Sequence, residues 1–105
     1  MIKAEFRYSD NQICGFTITG HSGWDEQGKD IVCAAVSSAA IMAANTVTEI
    51  QHIKADITDR DGFLQFDLSG AEARSAEAVL EGLRLHLTAL SEECPQFINV
   101  KISEV

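Results

Sequence analysis

Hydrophobic and polar positions change period along this chain, and each change marks an element. Ile2, Ala4, Phe6 and Tyr8 alternate with Lys3, Glu5 and Arg7, the two-residue period of a half-buried strand. Ser9-Asp10-Asn11 is turn chemistry. Cys14, Phe16 and Ile18 then alternate with Gly15, Thr17 and Thr19, which predicts a second strand paired as a hairpin. That phase puts Cys14 on the apolar face, as a core thiol. Gly20, Gly23 and Gly28 interrupt any regular pattern. From Ile31 the chain is small and apolar, and a helix is predicted from about Asp30 to Gln51. Ile53, Ala55 and Ile57 read as a third strand, Asp61-Gly62 as a hairpin turn, and Leu64, Phe66 and Leu68 as a fourth strand. A second helix is predicted from just after Gly70 to about Glu93. Its stripe is Ala76, Leu80, Leu83, Leu87, Leu90 and Cys94, and Pro95 stops it. Ile98, Val100 and Ile102 alternate with Asn99 and Lys101 in a fifth strand.

The predicted order is β-β-α-β-β-α-β, an α+β fold with an antiparallel-rich sheet packed with two helices. Residues 1–105 read as one domain. Strand order does not follow from the pattern. The two helices differ. The second has one stripe, which a sheet can cover. The first is apolar around nearly its whole circumference, more than one small sheet can cover. A second copy of the chain, in a two-fold homodimer, is the expected cover for the surplus; the competing arrangement encloses the helix within one chain.

Composition narrows the class. The chain is 46% hydrophobic and 23% charged, a folded rather than disordered balance. Its start, MIKAEFRYSD, does not have the pattern of a signal peptide. The run from Ile31 to Ala44 is too short to span a bilayer, so no membrane association is expected. The three cysteines include an odd thiol, and reduced thiols in the cytoplasm are the simplest reading. A net charge of −8 without a basic stripe disfavours direct nucleic-acid binding and suits a basic protein partner.

Candidate chemistry gathers at the start of the first helix. Asp30 stands where an N-cap belongs, which puts Cys33 in the first turn. Unpaired backbone N–H groups and the positive helix end favour a thiolate there. His21, across the glycine loop, is a candidate base or ion-pair partner. Set against this, a cysteine beside Val32 and two alanines also fits a small buried hydrophobe. Ser37 is four residues on and shares a face with Cys33; it either supports the site or bonds its own helix carbonyl. Trp24 anchors the loop from beneath or meets substrate. Glycines at both ends of that loop would let it close over Cys33. No C-x-x-C or H-x-x-x-H pair is present, so neither a zinc site nor any other metal or cofactor is expected, and Cys33 has no local partner for disulfide chemistry.

The pair Gly20-His21 and the run Gly28-Lys29-Asp30-Ile31-Val32-Cys33-Ala34-Ala35-Val36-Ser37 together resemble the bacterial ribosomal-processing cysteine protease family, Prp. Asn45 falls where that family's helix carries an asparagine, and the resemblance extends over the whole chain. Ser22 departs from the family's usual alanine, a small change. The resemblance implies Cys33 as nucleophile and His21 as general acid/base, and again a homodimer. It implies a cytoplasmic cysteine endopeptidase acting on a ribosomal protein precursor peptide, the N-terminal extension of large-subunit ribosomal protein L twenty-seven. Cleavage would follow an aromatic pair. The alternative is a non-catalytic ribosome-associated binding module with a buried Cys33.

Overall fold

The computed structural model describes residues 1–20 and 31–105. Strands β1 (Ile2–Ser9) and β2 (Gln12–Thr19) form the first hairpin. Its two turn residues, Asp10 and Asn11, both take positive φ, at 53° and 65°. Those are the residue types that tolerate the left-handed region, and two such residues give a turn whose twist matches the flanking strands.

Helix α1 (Ile31–Asn45) runs directly into a π-helical turn, Thr46–Ile50. Two hydroxyls bond back to carbonyls four residues earlier there: Thr46 Oγ1 to Met42 at 2.8 Å and Thr48 Oγ1 to Ala44 at 3.1 Å. Such bonds compete with the helical ladder, and the ladder widens at this place. The helix ends at His52, which takes φ 56°, while Ile53 N–H donates to the Val47 carbonyl at 3.0 Å. His52 is thus the left-handed residue that closes a helix end. Because Ile53 caps the helix, the third strand starts later than its alternation implied: β3 spans Asp56–Arg60. It forms a hairpin with β4 (Phe63–Asp67), in a register running from Arg60 opposite Phe63 to Asp56 opposite Asp67.

The second predicted helix is two. A short α2 (Gly70–Ala73) and a long α3 (Glu77–Glu93) are separated by a tight turn. In that turn Ser75, Ala76 and Glu77 donate to carbonyls three residues back, at 3.2–3.3 Å, rather than four. The tightened turn seats Ala73 and Ala76 in the core, at 2% and 0% exposure. The stripe on α3 is as expected, with Leu80, Leu83 and Leu87 buried. Strand β5 (Ile98–Glu104) completes the chain's elements.

The sheet order is β3-β4-β2-β1-β5. Every adjacent pair is antiparallel except β1 with β5, so the sheet is mixed and antiparallel-rich within an α+β fold. Its centre is a row of three rings. Phe6, Phe16 and Phe66 lie opposite one another on β1, β2 and β4, all fully buried, with centroids 5.9 Å and 5.1 Å apart. Val32, Val36, Ala40, Ala43 and Val47 of the first helix share this core.

One irregularity changes the sequence reading. Arg7 lies opposite Gly15, but Tyr8 lies opposite Ile13, so Cys14 is an extra residue in β2, a bulge. The bulge reverses the phase of alternation. Ile13, not Cys14, joins Phe16 and Ile18 in the core. Cys14 is half-buried, with its sulfur 3.4 Å from the Arg7 carbonyl.

The helix from Ile31 through Ile50 is 20 residues, long and apolar enough to cross a membrane by length and composition alone. The uninterrupted apolar run stops at Ala44, where Asn45 and the two threonines break it, while the helix predicted to about Gln51 continues through Ile50. In the fold this helix is a core element, with Val36, Ala40, Ala43 and Val47 at 0–1% exposure.

Candidate active site

Strand β2 delivers the chain to Gly20 under tight constraint. Gly20 has φ +89°, and a Cβ there would stand 2.5 Å from the Met1 carbonyl oxygen. Only glycine combines that backbone with that approach. Gly20 N–H also donates to the Gly62 carbonyl at 2.9 Å, in the turn between β3 and β4. Gly62 itself takes φ 71°. The residue before His21 is therefore held from two sides, by the chain's first residue and by the second hairpin.

Cys33 sits in the first turn of α1 as described, half-buried and packed against the core. It opens onto a cavity of about 380 Å³. Ser37, one turn further on, lines the same cavity, so the helical spacing does put both on one face. The floor is apolar: Ile2, Ile18, Val36 and Ala40. The opposite wall is the hairpin tip, Asp59 to Leu64. A thiol beside an apolar cavity with a polar rim is the arrangement a peptide-cleaving nucleophile needs. Such a cavity has room for a peptide side chain next to the sulfur.

The other cysteines lie elsewhere. Cys14 is in the bulge, and Cys94 is the half-buried C-cap of α3, its N–H donating to Leu90 at 2.9 Å. None of the three is in a disulfide. His52 closes the first helix, and His86 lies on α3 beside a separate apolar groove of about 580 Å³ against α1. Among the described residues no group of three His, Cys, Asp or Glu side chains could hold a metal ion. His21, Asp30, Trp24, Gly23 and Gly28 lie outside the described residues.

Strong electrostatic perturbation lies away from this cavity. The Tyr8 hydroxyl donates to Glu81 at 2.8 Å, and Arg84 donates to the other oxygen of the same carboxylate at 2.8 Å. Burial, reinforced by the bond to Glu81, pushes Tyr8 up to about 12. This cluster ties β1 to α3 and is structural.

The hairpin wall was not legible as part of a site. Asp61-Gly62 was readable as a turn, but its position over Cys33 comes from β4 pairing with β2. That is a long-range contact which no local pattern encodes.

Comparison with known proteins agrees with this geometry. Residues 1–99 match the family model described as cysteine protease Prp. The ribosomal processing cysteine protease Prp of Bacillus subtilis is 32% identical over 107 residues, covering 95% of this chain and 96% of that protein. A solved Streptococcus mutans structure superposes with a TM-score of 0.82 at 29% identity, over 100% of this chain and 96% of the other. The ribosomal processing protease Prp of Staphylococcus aureus, solved with a covalently linked product peptide, has the same fold. Its TM-score is 0.89 at 23% identity, over 97% and 99% of the two chains. With residues 1–99 matched by the family model and a cysteine at the head of the helix that lines the cavity, the chain belongs to the Prp family of cysteine proteases.

Proposed function

We propose that this protein is an endopeptidase that removes the N-terminal extension from a ribosomal protein precursor, large-subunit protein L twenty-seven. Cleavage would follow an aromatic pair. The observation that carries the reading is Cys33, in the first turn of α1 and on the wall of an apolar cavity, in a chain of this family. An aromatic side chain suits a floor of Ile2, Ile18, Val36 and Ala40.

The reaction is acyl transfer. Cys33 as thiolate attacks the scissile carbonyl, and backbone N–H groups at the helix start receive the developing oxyanion. His21 protonates the leaving amine. It then takes a proton from the water that releases the acyl enzyme. Asp30 is assigned to capping the helix start, as its place in the sequence suggests, with orientation of His21 as its other available role. Ser37 supports the nucleophile's face of the helix. Residues 1–105 act as one protease domain in the cytoplasm, without metal, cofactor, direct nucleic-acid contact or membrane attachment.

A homodimer is part of the same proposal. Ile41 and Met42 on α1 are 47% and 58% exposed, the apolar surplus expected of a helix with no single stripe. A second copy of the chain covers it.

The competing reading is a binding module in which Cys33 is only a core residue. A half-buried thiol lining an open cavity favours the enzyme. The deciding experiment is incubation with a precursor carrying the extension, followed by mass spectrometry of the product. One cut after the aromatic pair is expected, with a bell-shaped pH profile from the Cys–His pair. His21→Ala should remove cleavage and slow alkylation of Cys33. An intact precursor after prolonged incubation with wild-type protein would reject the reading.

A further inference from the structure

We infer that Asp59 on β3 is a specificity-determining residue of the Cys33 cavity and selects peptides with a basic side chain near the scissile bond. The inference rests on the cavity being the peptide site proposed above. Asp59 lines that cavity together with Cys33 and Ser37. Its direction follows from register. Asp59 lies opposite Leu64, and Leu64 lies opposite Ile18, a residue of the core face. Period-two alternation therefore turns Asp59 toward the helix side of the sheet, where Cys33 is.

The neighbouring cation does not neutralise it. Arg60 is the next residue along β3 and also borders the cavity, but alternation turns its side chain toward the face opposite that of Asp59. There its guanidinium stands 4.3 Å over the ring of Phe63, its cross-strand neighbour. Among the described residues, no ion pair or hydrogen bond holds the Asp59 carboxylate. The whole chain carries a net charge of −8, which adds to a field that attracts cations. An apolar floor with Asp59 and Asp61 on its rim fits a peptide that has an apolar or aromatic side chain followed or preceded by a lysine or arginine. A neutral peptide would still fill the floor. A peptide with an acidic residue at the same position would meet Asp59 with like charge, and rejection by like charge is the sharper part of the discrimination.

The test separates binding from catalysis. Cys33→Ala protein is titrated by fluorescence anisotropy with three labelled peptides that share an aromatic pair and a following alanine. They differ only in carrying Lys, Met or Glu two residues beyond that alanine, with a second set varied before the aromatic pair. In at least one set the Lys peptide should bind about fivefold or more tighter than the Glu peptide at low salt, and the ratio should shrink at 0.5 M salt. Asp59→Asn should bring the ratio close to one, and Asp59→Lys should invert it, with the Met peptide changed little. Circular dichroism confirms that both variants fold. A Lys-to-Glu ratio unchanged in Asp59→Asn, or no discrimination in either set, overturns the inference. Cleavage of the Met peptide by wild-type protein reports separately on whether the cavity is a peptidase site.

Discussion

The two long helices meet the same sheet differently. On α3, Leu80, Leu83 and Leu87 are buried, and Leu85 on the far side is 65% exposed. One stripe is in the core and the rest is in solvent. On α1, Val32, Val36, Ala40 and Ala43 are buried, yet Ile31, Ile41 and Met42 remain 47–63% exposed, and Cys33 and Ser37 line a cavity. Helix α3 is accounted for by stability. Helix α1 has one face in the core, one on the cavity that ends at Ile41, and exposed apolar surface at Ile31 and Met42. The lesson is that an apolar helix in a small domain need not be wholly buried. Its surplus is where we place the proposed chemistry and association.

Substitutions on the two helices should separate these roles. Cys33→Ala should reduce precursor cleavage to background, with a urea midpoint close to wild type because the change is small and the site half-buried. Detectable turnover by that variant, followed by mass spectrometry, would break the assignment of α1 as the catalytic helix. Leu87→Ala on α3 should do the opposite. It should cost about 2–5 kcal/mol of stability in a denaturant titration. Turnover per folded molecule should hold. Loss of turnover in the folded fraction would mean that α3 supports the cavity directly.

The uncovered face of α1 gives the next test. Met42→Glu should leave a folded species sedimenting near 11.4 kDa, against about twice that mass for wild type. A wild-type mass near 11.4 kDa at micromolar concentration would remove the dimer. The smallest effect lies on the structural side. Tyr8→Phe deletes the 2.8 Å bond to Glu81 and should cost about 1 kcal/mol. Tyr8 is the chain's single tyrosine, so absorbance at alkaline pH reads it alone. Its pKa of about 12 in the fold lies above the ordinary 10.0, so the folded state holds the proton more tightly. Its contribution is therefore full below pH 10.0 and is lost as pH rises through about 12. A midpoint near 10.0 in the native protein would mean that β1 and α3 are not locked at this corner.

Much of this was readable from residue order. Strands β1, β4 and β5 follow two-residue alternation, and the α3 stripe follows helical spacing, because a single buried face imposes a single period. The misreadings have local physical causes. Cys14 was placed in the core because a bulge shifts the phase without a sequence mark of its own. The third strand was begun too early because Ile53 and Ala55 are partly buried without being paired. The break between α2 and α3 is invisible in composition, since alanine suits a helix and a tight turn alike.

The sequence by itself determined most of the elements, the contrast between an all-round apolar helix and a striped one, and the cysteine at the head of the first. These depend on periods and end signals that neighbours along the chain supply. Strand order, the parallel pairing of β5 with β1, and the placement of the Asp59–Leu64 hairpin across from Cys33 were decided only in three dimensions. Each brings together residues far apart in the chain. Such contacts are selected by the joint burial of Phe6, Phe16 and Phe66 across three strands, a collective property that no local window of sequence contains.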